Sequence, residues 1–269
     1  MFAIAFPAID PVLVEIGPVS IRWYALAYVV GLLVGWLYVR YLARTRIPGL
    51  DTRLVDDLLV WCTLGVVLGG RLGYVLFYQP AYFIEHPEEI PLVWQGGMSF
   101  HGGLVGTLIA LIGFARFRKT SLLMVADLVA CAVPLGLFFG RIANFINGEL
   151  YGRVSDVAWA MVFPNGGPDP RHPSQLYQAI MEGFLLFALL ATLVHLSRLP
   201  TRPGAMTGVF LIGYGIARII GELFREPDAY LGFIVSGITM GQILSLPMLA
   251  LGAFLLYRAK AAHHLITKS

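Results

Sequence analysis

Arg218, Glu222 and Arg225 stand at i, i+4 and i+7 on one helical stripe inside an otherwise apolar run. Gln175, Gln178 and Glu182 share a face of a second apolar stretch, and Arg71, Tyr74 and Tyr78 share a face of a third. Arg141 and Asn144 follow a long hydrophobic run, Tyr24 lies near the start of another, and His101 sits in the glycine-rich GGMSFHGG. These residues form an arginine-rich set with one histidine. A guanidinium keeps its charge when partly dehydrated, and its planar fork grips two phosphate oxygens at once. An imidazole titrates near neutrality, so it can take up and return a proton. The residue types therefore suit a phosphate with a proton-transfer step beside it.

The elements that must position them are membrane helices. Of the 269 residues, 58% are hydrophobic and 13% charged, against about 25% charged in a soluble globular protein. Apolar runs at 21–41, 58–78, 98–115, 122–140, 176–196, 204–223 and 240–257 each approach the roughly 20 residues that a helix needs to cross a bilayer. Backbone groups in lipid must be satisfied internally, and runs this long without alternation exclude barrel strands. The expected fold is all-α, a polytopic integral membrane protein with seven transmembrane helices forming one membrane-embedded domain over 1–269. Residues 1–20 lack a basic leader and are broken by Pro7, Pro11 and Pro18, so they read as an external arm rather than a cleavable signal. Residues 141–175, rich in Gly, Asn and Pro, read as an external loop.

Basic residues set the orientation, because short cytoplasmic loops retain Lys and Arg. Arg40, Arg44, Arg46 and Arg53 follow the first run, Arg116, Arg118 and Lys119 the third, Arg198 and Arg202 the fifth, and Arg258, Lys260 and Lys268 the seventh. The segment 79–97 has none. The N-terminus is expected outside and the C-terminus in the cytoplasm. Spans one to six then each bring a polar group to the outer level, while Asp127 and His195 fall at the other end as ordinary boundary residues.

Plainer readings stand beside the functional one. Arg218 and Glu222 suit a pair that neutralises itself and joins helices. Arg141 and Arg225 suit interfacial anchors, and Trp23, Trp94, Trp159 and Tyr24 suit an aromatic belt. His101 alone suits a structural role. Gly96, Gly97, Gly102 and Gly103 suit either close approach of a lipid or close helix packing. The common depth favours a site. Without a basic cluster interleaved with aromatics no nucleic acid is expected, and Cys62 and Cys131 lie in apolar runs without metal or disulfide spacing. No metal and no cofactor is expected, since ligand-spaced His and carboxylate clusters are lacking and a phosphate already has arginine partners. A transporter for an anionic lipid would use the same arginines, but it needs a polar path through the other half of the spans, which is nearly free of polar residues. Another phospholipid enzyme, such as a phosphatase or headgroup transferase, would need a metal motif or an enzyme-borne phosphate acceptor.

The stretch 140–153, GRIANFINGELYGR, resembles the signature of the prolipoprotein diacylglyceryl transferase family. IRWYALAY, GGRLGYVLFY, GGMSFHGGL, RHPSQLYQA, FREPD and MGQILSLPM resemble further blocks of that family in the same order, so the resemblance covers essentially the whole chain. It implies an enzyme of the bacterial plasma (inner) membrane whose site faces outward. In the implied reaction the lipobox cysteine thiol of a preprolipoprotein signal peptide attacks the glyceryl carbon that bears the phosphate of phosphatidylglycerol. A thioether forms and glycerol 1-phosphate leaves. The implied functional positions are His101 in GGMSFHGG, Tyr24 in the WY pair, Arg225 in FREPD, and Arg141, Asn144, Glu149, Gly152 and Arg153 in the signature. His101, Arg141, Arg225 and Tyr24 are expected to be catalytic. Arg141, Asn144, Arg225, Glu149, Gly152 and Arg153, with Arg71 added by its depth, are expected to bind phosphatidylglycerol. His101 is read either as the base for the thiol or as a group that orients the headgroup while arginines lower the thiol's pKa.

Overall fold

The computed structural model describes residues 4–7, 9–17, 19–46, 51–227, 232–234 and 237–266, so Pro18, Asp228 and Lys268 lie outside the described residues. In chain order the elements are β1 (Ile4–Ala5), β2 (Val12–Ile16), β3 (Val19–Arg22), α1 (Trp23–Thr45), α2 (Thr52–Phe77), α3 (Pro80–Glu85), α4 (Phe100–Phe117), α5 (Leu122–Ile146) and β4 (Met161–Val162). They continue with α6 (Ser174–Gln178), a π-helical stretch (Ala179–Leu185), α7 (Leu186–Leu196), α8 (Ala205–Phe224) and α9 (Met240–Ile266). Counting Ser174–Leu196 as one, seven of these helices are long and apolar enough to cross a membrane, at the seven places where the apolar runs fall.

The chain departs from the purely helical expectation outside the long helices. β2 and β3 form an antiparallel hairpin, and β1 pairs in parallel with β4. β2 is VLVEI, rich in the β-branched residues that suit a pleat, and Gly17 at φ +60° takes the left-handed turn that follows it. A second difference concerns the end of α5. The helix runs through Arg141 and Asn144 to Ile146, six residues past the expected end of the apolar run. It stops where Gly148 adopts φ +65°, while the amides of Asn147, Gly148 and Glu149 satisfy the carbonyls of Ala143, Phe145 and Asn144. Polar residues on the last two turns are thus helical rather than loop.

Residues 1–39 with 127–269 make one compact unit and residues 40–126 another. In the second, α2 and α4 press backbone to backbone. A Cβ on Gly69 would stand 2.7 Å from the Gly106 Cα, one on Gly73 would stand 2.7 Å from the Gly102 Cα, and one on Gly65 would stand 2.8 Å from the Ala110 Cβ. Small residues every fourth position give the close crossing that lipid-embedded helices use in place of hydrophobic collapse. This decides the function of Gly102, which is helix packing. Arg40 binds both oxygens of Asp56 at 2.7 Å, and Arg118 pairs with Asp57.

In the first unit, glycines again set the crossings. Gly208 of α8 and Gly252 of α9 face each other, and at the α1–α5 crossing it is Gly31 that must stay small, since a Cβ on it would stand 3.1 Å from the Gly136 Cα. Asp127 proves to be more than a boundary residue. It is 5% exposed and accepts from the amides of Gly204 and Thr207 at 2.7 Å and from the Thr207 hydroxyl at 2.6 Å, capping the start of α8 from across the fold.

Gly69→Val should therefore force α2 and α4 apart at a cost of about 1 to 3 kcal/mol. Thermal unfolding of the detergent-solubilised protein should show a clear drop in midpoint. Gly136→Ala, whose added Cβ meets nothing within 4 Å, should leave the midpoint in place. Equal behaviour of the two variants would refute this account of the crossing.

Candidate functional site

Three helix segments of the first unit bring charge to one place. Glu182 lies in the π-helical stretch with no exposure to solvent and accepts from Arg141 through Nε at 3.1 Å and Nη2 at 2.9 Å. Its other oxygen lies 3.7 Å from Arg218 Nη1. Arg218 Nη2 reaches Glu222 Oε1 at 2.7 Å, and Arg225 Nη1 donates to the same oxygen at 3.2 Å. Three guanidinium groups thus surround two carboxylates, leaving one net positive charge. Tyr214, a residue on α8 that the sequence reading did not single out, lies within electrostatic range of Arg141, Glu182, Arg218 and Glu222. It stands four residues before Arg218, and that spacing was the available signal.

Local backbone geometry makes the cluster possible. A Cβ on Gly183 would stand 2.7 Å from the Phe138 Cβ, so the glycine lets the π-helical stretch lie against α5 one turn before Arg141. Glu222 is held from the opposite side by the start of α9. Its carboxylate lies against Gly241, where a Cβ would come within 2.8 Å of Cδ, with the Thr239 side chain beside it. Thr239 and Gln242 form a reciprocal capping box, with Gln242 N on Thr239 Oγ1 at 3.3 Å and Thr239 N on Gln242 Oε1 at 3.1 Å. A carboxylate at a helix N-terminus meets the positive end of the helix dipole. That is the physical content of the MGQ in MGQILSLPM.

The signature segment after α5 caps the other end of α8. Arg153 donates from Nε to the Arg225 carbonyl at 3.0 Å and from Nη2 to the Glu222 carbonyl at 3.1 Å, and its amide meets the Phe224 carbonyl at 2.9 Å. A cation on the last carbonyls of a helix satisfies groups that have no partner within the helix. Gly152 bridges Arg225 in antiparallel fashion and donates to the His172 carbonyl at 2.8 Å. A Cβ on it would stand 2.5 Å from the His172 oxygen and 2.6 Å from the Phe224 oxygen. Only glycine fits there, so Gly152 and Arg153 fix the backbone that carries Arg225 and Glu222. Partial burial holds the His172 imidazole below its ordinary pKa.

A second polar group adjoins through α5. Asn144, one turn after Arg141, donates to Glu149 Oε1 at 2.7 Å, and the Tyr24 hydroxyl lies beside it. The Tyr24 hydroxyl also lies 3.1 Å from that of Tyr28. Gln175 Nε2 donates to the Glu149 carbonyl at 2.7 Å and Ser174 Oγ to the Leu150 carbonyl at 2.9 Å, fastening the segment to α6. Tyr24, Asn144 and Glu149 therefore act as one constellation.

Two expected site residues belong to the other unit. Arg71 is 5% exposed and donates to the carbonyls of Glu89 at 2.7 Å, Ile90 at 2.8 Å and Gly96 at 2.6 Å, with its guanidinium 5.0 Å from the centre of the Phe83 ring. These bonds hold the segment 79–97 in place. His101 is exposed in the first turn of α4, which Ser99 caps by accepting from the Gly102 amide at 3.1 Å. Its ring meets Phe100 edge to face at 5.6 Å between centroids.

Comparison with known proteins identifies the family. The family model described as prolipoprotein diacylglyceryl transferase matches residues 11–258. A protein of Paramagnetospirillum magneticum named phosphatidylglycerol–prolipoprotein diacylglyceryl transferase is 62% identical over 257 residues, covering 95% of each chain. A Rhodospirillum rubrum protein of the same name is 62% identical over 264 residues, covering 97% of this chain and 96% of its own. One from Methylocella silvestris is 56% identical over 268 residues, covering 97% and 98%. The match runs from the N-terminal hairpin into the last helix and takes in every residue of the arginine–glutamate cluster, and on that basis the chain belongs to the prolipoprotein diacylglyceryl transferase family.

Proposed function

We propose that the chain transfers the diacylglyceryl group of phosphatidylglycerol to the thiol of a lipobox cysteine in a preprolipoprotein signal peptide. Membership of the transferase family over nearly the full length carries this reading. The sulfur forms a bond to the glyceryl carbon as that carbon's bond to the phosphate oxygen breaks. A thioether and glycerol 1-phosphate result, and the thiol proton passes to a base. The enzyme works in the bacterial inner membrane with its site toward the external side and its C-terminus in the cytoplasm.

The leaving phosphate gains negative charge in the transition state, so fixed cations around its oxygens lower the barrier more than they stabilise the bound lipid. Arg141 and Arg225 take this role, and their ion pairs with Glu182 and Glu222 hold the guanidinium planes in place before the lipid arrives. Arg218 joins them, because it lies between the two carboxylates. Asn144, tied to Glu149, and Tyr24 donate hydrogen bonds to the phosphate or glycerol hydroxyls. His101 accepts the thiol proton, since a cysteine reacts as its thiolate.

Purified protein incubated with phosphatidylglycerol labelled in its acyl chains should label a lipobox peptide but not its Cys→Ser counterpart; label on both or on neither would refute the reaction. In the same assay His101→Ala should slow turnover by about 10² to 10⁴ fold without loss of thermal stability. Arg141→Lys and Arg225→Lys should each lose about 10² to 10³ fold despite retained charge, and wild-type rates would remove the bidentate role. For orientation, an impermeant maleimide should label Glu88→Cys in intact cells and Lys119→Cys only after permeabilisation. The opposite pattern would invert the topology.

A further inference from the structure

Beside the ion pairs lies a row of carboxamides that they do not use. Gln175 and Gln178, one turn apart on α6, are both fully buried. Gln175 gives its amide N–H to Glu149, but its Oε1 has no hydrogen-bond partner, and Gln178 has none at either Nε2 or Oε1. Gly221 of α8 packs on Gln178, and a Cβ there would stand 3.3 Å from the Gln178 Cγ and 3.4 Å from Nε2. Gly221 shares its helix face with Arg218 and Arg225, three residues before and four after it. Arg218 Nη1 makes no hydrogen bond either, its ion-pair partner Glu182 Oε1 standing at 3.7 Å. Unmet donors and acceptors therefore collect where α6 meets the arginine stripe, and leaving such groups buried and unpaired is costly.

The ligand that completes them must both donate and accept. A primary carboxamide offers two donor hydrogens and an acceptor oxygen in one plane, which complements hydroxyl groups. An ammonium headgroup offers donors only and would bring positive charge against three guanidiniums. Met181, whose Cε would lie 3.7 Å from a Gly221 Cβ, is an unbranched, flexible neighbour of the same spot. Resting on the function proposed above, we propose that Gln178, with Gln175 behind it, selects the lipid headgroup by hydrogen-bonding its glycerol hydroxyls while the adjacent arginines hold the phosphate.

The test compares phosphatidylglycerol with phosphatidylpropanol, which keeps the phosphate and chain length but has no headgroup hydroxyls, in mixed micelles with a lipobox peptide. Wild-type enzyme should favour phosphatidylglycerol in kcat/KM by about tenfold or more, because a site built to bond a hydroxyl rejects the analogue that lacks it. Gln178→Met should lose about that factor on phosphatidylglycerol and little on phosphatidylpropanol, so that the preference collapses. Equal use of both lipids by the wild type overturns the proposal even if the variant does not fold. So does a variant that slows both lipids by the same factor, which is the mark of a purely structural residue. Failure of the wild type to transfer from either lipid would instead overturn the underlying reaction, and the headgroup role with it.

Discussion

Charges buried among apolar helices must find one another. Glu182 and Glu222, at 0% and 2% exposure, each sit between guanidinium groups, and removing one partner of such a pair typically costs about 3 to 5 kcal/mol because it strands the other. This requirement links the end of α5, the π-helical stretch after α6 and the end of α8 into one arrangement. The excess of one guanidinium over the carboxylates leaves the cluster cationic. The guanidinium groups are thus held in place by the carboxylates themselves.

Much of the remaining architecture in the first unit keeps that cluster in register. Gly183 allows the approach to Phe138 that brings Glu182 to Arg141, and Gly241 leaves space for the Glu222 carboxylate at the start of α9. Gly152 threads between the backbone of His172 and that of Phe224, and Arg153 covers the last carbonyls of α8. Asp127 fixes the opposite end of the same helix. Both ends of α8 are therefore held by side chains from elsewhere in the chain. A helix fastened at each terminus presents Arg218, Glu222 and Arg225 with little freedom, which suits electrostatic stabilisation that requires no reorganisation during reaction.

The apolar runs made the seven long helices legible, since length and hydrophobicity alone specify a membrane-spanning helix. The i, i+4, i+7 stripe of α8 and the Gln175–Glu182 face were legible for the same reason, because helical periodicity is local. The hairpin of β2 and β3 and the pairing of β1 with β4 were not, since short strands acquire meaning only through distant partners. Nor was the extension of α5 to Ile146, where a polar sequence is helical because Gly148 rather than hydrophobicity ends it.

The sequence by itself determined which residue types were available, where the helices run, and the family to which their motifs correspond. Only the tertiary structure decided how the charges are shared. It placed Glu182 between Arg141 and Arg218, turned Arg153 into a helix cap, and gave Arg71 to the carbonyls of the segment 79–97. An arginine's role depends on which acceptors lie within about 3 Å of its fork. Those acceptors come from helices and loops far apart in the chain, at distances that no local pattern encodes.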